Sequence, residues 1–298
     1  MLAGDVVAPG TLLRAWTFEP GVLLGVAAGA GVYAAGTRRL WRAAGVGRGI
    51  ARWQALSFAL GLTTILVALI SPLDALSDTL FSAHMVQHLL LIMVVPPLLL
   101  WGNPVVALLW ALPRERRAAL LAWWRRSPLR FEWDAISHPA AAWTLHAATF
   151  VAWHIPPLFD LALRYDAVHA LEHFTFLATA LLFWWPVLHP AGRRRLGYGG
   201  ALLYVFAMFL LSGSLGALLT FTTTLLYAYG PGIRAWGLSP VQDQQLAGLI
   251  MWIPAGSLYI LAAAGVVLQW FNADARHALP PGDIAPAFAP ALRPPPGA

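Results

Sequence analysis

The strongest constraint on this chain is a series of seven long apolar stretches. They lie at about 20–37, 53–70, 79–101, 139–157, 168–189, 199–221 and 243–271, separated by connections that carry most of the arginines. A helix that crosses a bilayer needs ~20 mostly apolar residues. Inside hydrocarbon, every backbone N–H and C=O must be paired within the protein, so stretches of this length fold as helices. Only 11% of the residues are charged, against about 25% in an ordinary soluble domain. That balance excludes a typical cytosolic enzyme, a disordered chain and a nucleic-acid-binding module. The expectation is an all-α, polytopic membrane protein with seven transmembrane helices. One membrane domain would span residues 1–278, and the Pro-rich stretch 279–298 is expected to be a disordered tail. The 15 tryptophans suit a protein with two bilayer interfaces.

The cationic residues set the expected orientation. All 19 are arginine. Five lie in the first connection (Arg38, Arg39, Arg42, Arg48 and Arg52) and six in the third (Arg114, Arg116, Arg117, Arg125, Arg126 and Arg130). Arg193, Arg194 and Arg195 lie in the fifth, and Arg276 and Arg293 near the C-terminus. The other side of the alternation holds Arg14, Arg164 and Arg234. Basic flanks stay cytoplasmic, so the N-terminus is expected outside and the C-terminus inside, which requires an odd number of spans. The opening MLAGDVVAPG has no basic region and no cleavage motif. It is therefore not read as a signal peptide, and the first helix is expected to be retained.

Several features have local meaning. Gly21, Gly25 and Gly29 form a small-residue stripe that would let another helix approach closely. Pro96 and Pro97, Pro186 and Pro254 each remove a backbone donor inside an expected span and favour a kink. Between 102 and 138, Leu120, Leu121, Trp123 and Trp124 sit among arginines. That pattern fits either a short interfacial helix or a solvated positive loop. The absence of cysteine excludes a disulfide framework, a zinc-thiolate site and a CxxC redox pair.

The histidines carry the functional signal, because ionisable groups within a membrane are costly and tend to mark function. The third span carries HMVQH, with His84 and His88, and the fifth carries HALEH, with His169 and His173. A spacing of four puts two imidazoles on one helix face. With the expected orientation, these pairs and His154 all fall in an outer layer. Asp243 opens the last span, either as a helix cap or as a rim carboxylate facing the histidines. The candidate metal ligands are therefore His84, His88, His154, His169, His173 and Asp243. Imidazole suits copper, zinc and iron. Met85, Asp74, Asp78, Glu172 and the buried-depth His146 are left open as contributors. A hydrogen-bonded network without metal is the structural alternative. His138 and His189 lie at the cytoplasmic span ends and are read as hydrogen-bonding packing residues, and His277 lies in the tail.

Taken together, the segments are familiar. SPLDALSDTLFSAHMVQHLLLIMVVPPLLLWGNP, WHIPPLFD at 153–160, HALEHFTFLATALLFWWPV at 169–187 and DQQLAGLIMWIPAG at 243–256 resemble the CtaG family. These are integral-membrane assembly factors for caa-type cytochrome c oxidases. The likeness covers about residues 20–271 and includes all six candidate ligands. It implies a multi-pass protein of the bacterial plasma membrane that helps mature a haem-copper oxidase, with oxidase subunits and the lipid bilayer as partners. Copper as the bound cofactor is inferred from the histidines and from the oxidase's own copper centres. The chain is read as lacking the fused copper-resistance-like membrane domain that some relatives carry.

The alternatives are a haem-binding or redox protein, with His88 opposite His173 or His154 as axial ligands, and a metal or proton transporter. A homo-oligomer is left open. No nucleophile motif or phosphate loop is present. The glycines of GVAAGAGVYAAG lie inside an apolar span rather than after a strand, so an enzyme of the hydrolase or dehydrogenase type is not expected.

Overall fold

The computed structural model describes residues 7–189, 196–229 and 231–278. The Pro-rich stretch 279–298, Arg193–Arg195 and Arg293 lie outside the described residues. Among the described residues the fold is all-helical, with no strand. The helices are α1 (Pro20–Ala44), α2 (Arg52–Leu69), α3 (Pro72–Ser77), α4 (Phe81–Leu89), α5 (Val95–Trp101), α6 (Pro104–Ala111) and α7 (Arg114–Arg126). They continue with α8 (Leu129–Ile136), α9 (Pro139–Trp153), α10 (Pro156–Arg164), α11 (Asp166–Leu188), α12 (Gly197–Phe221) and α13 (Pro240–Ala278). Proline in the first turn starts many of them, where its missing N–H would have no intrahelical partner anyway.

Six helices are long and apolar enough to cross a membrane: Pro20–Ala44, Arg52–Leu69, Phe81–Trp101, Asp166–Leu188, Gly197–Phe221 and Pro240–Asp274. The molecule is a multi-pass membrane protein by that criterion. Large apolar side chains such as Leu24, Phe174, Leu203 and Phe271 are exposed on the surface. The remaining expected span, 139–157, is an α-helix of 15 residues that stops at Trp153. It stops because two prolines follow. Ile155, just before Pro156, is extended (φ −73°, ψ 121°), the conformation that a following proline favours. The arginine-rich connection is also more ordered than a loop. Residues 114–126 form α7, with Leu120, Leu121 and Trp123 exposed on its surface.

The third span is not a uniform helix. Leu90–Val94 widens into a π-helical segment between α4 and α5. Pro96 and Pro97 explain it. Neither has an N–H, so the carbonyl of Ile92 has no donor four or five residues ahead. The indole N–H of Trp184, on α11, donates to that carbonyl at 2.8 Å.

Close helix contacts form where glycines permit them, but not at the stripe read from the sequence. Cβ atoms placed at Gly21, Gly25 and Gly29 would meet nothing within 4 Å, so no helix among the described residues packs there. A Cβ at Gly248 of α13 would stand 2.6 Å from the Thr220 nitrogen of α12, and one at Gly216 would stand 2.9 Å from the Gly248 carbonyl oxygen. The main core joins α4, α9, α11, α12 and α13 around Phe176, Phe183, Trp184 and Met208.

Candidate metal centre

The starts of α4, α11 and α13 meet at one end of the bundle. Asp243, in the first turn of α13, is fully buried and accepts the N–H of Phe81 at 2.7 Å and that of Ser82 at 3.2 Å. The Ser82 hydroxyl donates to the same carboxylate. These are free N–H groups of the first turn of α4, which lack intrahelical acceptors. A carboxylate on one helix thus caps another and fixes the depth of HMVQH.

The side chains of HMVQH then diverge by helical position. His84 and His88 face α11. Gln87 donates to the Ala68 carbonyl at 2.8 Å and to Asp74 at 2.7 Å, tying α4 to α2 and α3. Thr17 donates to the second oxygen of Asp74 at 2.6 Å. Met85 turns inward to line a cavity.

On α11, His169, Glu172 and His173 occupy positions i, i+3 and i+4, so all three share the face opposite the α4 histidines. Ring centroids are 4.2 Å apart for His84 and His88, 5.1 Å for His84 and His169, 5.3 Å for His88 and His173, and 4.2 Å for His169 and His173. Glu172 reaches between the pairs. Its carboxylate oxygens lie 3.9 Å from His84 Nε2 and 3.7 Å from His88 Nε2. Two overlapping donor triads result, His84–His169–His173 and His84–His88–Glu172, each with donor atoms within 4.8 Å of one another. Phe159 and Tyr229 pack over His84. His169 and His173 are half-buried, so the cluster is least covered along α11.

This cluster is polar, buried and unsatisfied. Both ring nitrogens of His84 and His88, Nε2 of His169 and His173, and both oxygens of Glu172 have no hydrogen-bond partner among the described residues. Each buried polar group without a partner costs about 1–3 kcal/mol. A cation satisfies imidazole lone pairs and carboxylate oxygens together, so the donor set fits a bound metal. Ligand bonds of ~2 Å place two donors of one ion no more than ~4 Å apart. Spacings up to 4.8 Å mean that the rings must close slightly on the ion.

The sequence grouped five histidines with Asp243. The structure brings four of those histidines together with Glu172 and places the other two residues against different partners. His154 follows the end of α9, where its Nδ1 meets the Phe150 carbonyl at 2.6 Å and its Nε2 has no partner. It lines the same inner cavity as His88 and Met85. Asp243 spends its oxygens on the start of α4. His146 pairs through Nδ1 with Thr179 at 3.1 Å. His189 meets its own backbone at Trp185, and His138 precedes the first turn of α9. Glu172 was legible in principle, because HALEH puts it on the histidine face. The Tyr229 hydroxyl, buried without a partner beside His84, has no local sequence signal.

Comparison with known proteins adds the lineage. Residues 31–273 match the model of the cytochrome c oxidase caa3 assembly factor family, Caa3_CtaG. The chain belongs to this family. Its curated relatives include uncharacterised proteins of Mycobacterium bovis and Mycobacterium tuberculosis, each 31% identical over 285 residues, covering 90% of this chain and 41% of the relative. One from Mycobacterium leprae is 29% identical over 263 residues, covering 83% of this chain and 38% of the relative. The chain thus spans about two fifths of the length of these relatives. No solved structure matches it. The family match takes in all four clustered histidines, Glu172 and Asp243.

Proposed function

We propose that this protein is a non-catalytic copper-binding assembly factor of the bacterial plasma membrane, which holds copper in the His84–His88–His169–His173–Glu172 cluster and delivers it to a cytochrome c oxidase. The observation that carries the reading is the convergence of five buried or half-buried, unpartnered ligand side chains from two helices, in a chain of the oxidase-assembly family. Four imidazoles and one carboxylate suit copper. A delivery site needs an exchangeable, partly open ligand set, and the half-buried His169 and His173 supply the open side. Asp243 and Ser82 position the α4 donors rather than bind the ion.

The reading includes seven crossings, with the N-terminus outside. The clustering of His84 with His169 supports it. The third and fifth spans both begin at the cluster, so the chain must return across the bundle between them, and α9 is the helix available for that return. The arginine distribution then favours the cluster end as the outer one.

Loading the purified, full-length protein with Cu(II) and counting copper per chain tests the binding. One ion per chain is expected, with loss of most of it in the His84→Ala/His88→Ala variant. Equal copper content in both would overturn the assignment. A Soret band in the purified protein would instead favour the haem reading.

A further inference from the structure

The inner cavity points to a second site. It measures about 30 Å³, room for an ion or a water-sized group and too little for a porphyrin or quinone. Met85, Met93 and Met251 line it together with His88 and His154. The chain contains five methionines, so three of them converge on one small space. Methionine often fills gaps in apolar cores, and that alone would explain thioethers here. It does not explain His154, the imidazole on this cavity that the outer cluster does not use. His88 is 4% exposed and His154 8% exposed, and neither His88's two ring nitrogens nor His154's Nε2 has a hydrogen-bond partner among the described residues.

We infer that this cavity is a second metal site for a soft monovalent cation, the cuprous ion class, held by thioether sulfur from Met85, Met93 and Met251 and by imidazole from His88 and His154. Thioether donors select soft cations over zinc, magnesium or calcium. The charge argument agrees. The cost of moving an ion into a low-dielectric interior rises with the square of its charge, so a monovalent ion is far less penalised than a divalent one among neutral ligands. The two sites adjoin: His88 lines the cavity and also faces Glu172, and Met85 directly follows His84. Met93, within the π-helical segment Leu90–Val94, and Met251 supply sulfur that the outer cluster lacks. The inference rests on the outer-cluster reading for the source of its cation, but its ligands are otherwise different residues.

Silver(I) is a redox-inert probe for this chemistry. Full-length protein loaded with Ag(I) is expected to show sulfur scattering in its X-ray absorption spectrum. The Met93→Leu/Met251→Leu variant, close in volume to the original, is expected to bind Ag(I) at least tenfold more weakly and to lose that sulfur signal, while binding Cu(II) at the outer cluster as before. Thermal unfolding of the variant checks that it is folded. Silver held by nitrogen and oxygen alone, or unchanged silver affinity in the folded variant, would overturn the inner site. Loss of Cu(II) binding in His169→Ala/His173→Ala with silver retained would leave the inner site standing, whatever becomes of the outer reading.

Discussion

The carboxylate of Asp243 accepts the backbone N–H of Phe81 at 2.7 Å across 162 positions of sequence. This single bond, with its companions at Ser82, joins the start of the last span to the start of the third and sets where His84 and His88 stand. Asp243→Ala leaves the first-turn donors of α4 buried and unpaired. It is expected to destabilise the protein by about 1–3 kcal/mol, with a smaller loss for Asp243→Asn, and to weaken copper binding. Thermal unfolding in detergent with parallel copper titration measures both.

Glu172 brings the one carboxylate found in the histidine cluster among the described residues. Glu172→Gln keeps its size and removes its charge, so the fold should hold while copper affinity falls at least tenfold. Competition with a chelator of known affinity gives that ratio. Unchanged affinity would remove Glu172 from the ligand set.

Trp184 supplies the donor that Pro96 and Pro97 withhold from the Ile92 carbonyl. Trp184→Phe leaves this carbonyl unpaired within the bundle and is expected to cost about 1–3 kcal/mol. A melting curve indistinguishable from the parent would show that another group satisfies Ile92.

Small residues differ in importance according to what faces them. Gly248→Ala brings a methyl group against the α12 backbone and should destabilise the protein by about 1–3 kcal/mol. Gly21→Ala meets nothing and should be neutral or slightly stabilising. Paired melting temperatures decide between them.

The loop before α4 carries a pH response. Asp78 is open to solvent at its surface, yet the protein around its carboxyl thins the water there. That desolvation, followed by the negative fields of Asp74 and Asp166, pushes its pKa up to about 6. A carboxyl that ionises less readily in the folded state draws a proton to it. Its effect is therefore a loss of stability as pH rises from about 4 to about 6. Asp78→Asn should flatten that part of the pH–stability profile, and an unaltered slope would assign the response to other groups.

The helical class and the approximate position of each long apolar segment were legible because hydropathy and helix length are local properties. So was the pairing of His84 with His88 and of His169 with His173, since i, i+4 spacing fixes a shared face. What was not legible depends on distant contacts. Nothing near Asp243 announces that it caps α4 rather than only its own helix. Depth alone suggested that His154 joins the outer layer; the structure packs its ring on Phe150, along the cavity that His88 also lines. The glycine stripe of α1 looked suited to close packing, whereas the close approaches are made further along α1 by Gly36, against the Ala107 backbone, and by Gly216 and Gly248, where α12 and α13 meet. Six helices meet the length expected of a span, because the prolines at 156 and 157 cut the remaining one short.

The central claim is that imidazoles from α4 and α11 share one ion. Electron paramagnetic resonance of the protein loaded with one equivalent of Cu(II) tests it most directly. The account predicts nitrogen couplings from at least three imidazoles, lost when His84 and His88 become alanine; a spectrum with no imidazole coupling, or one that the double variant reproduces, would contradict it.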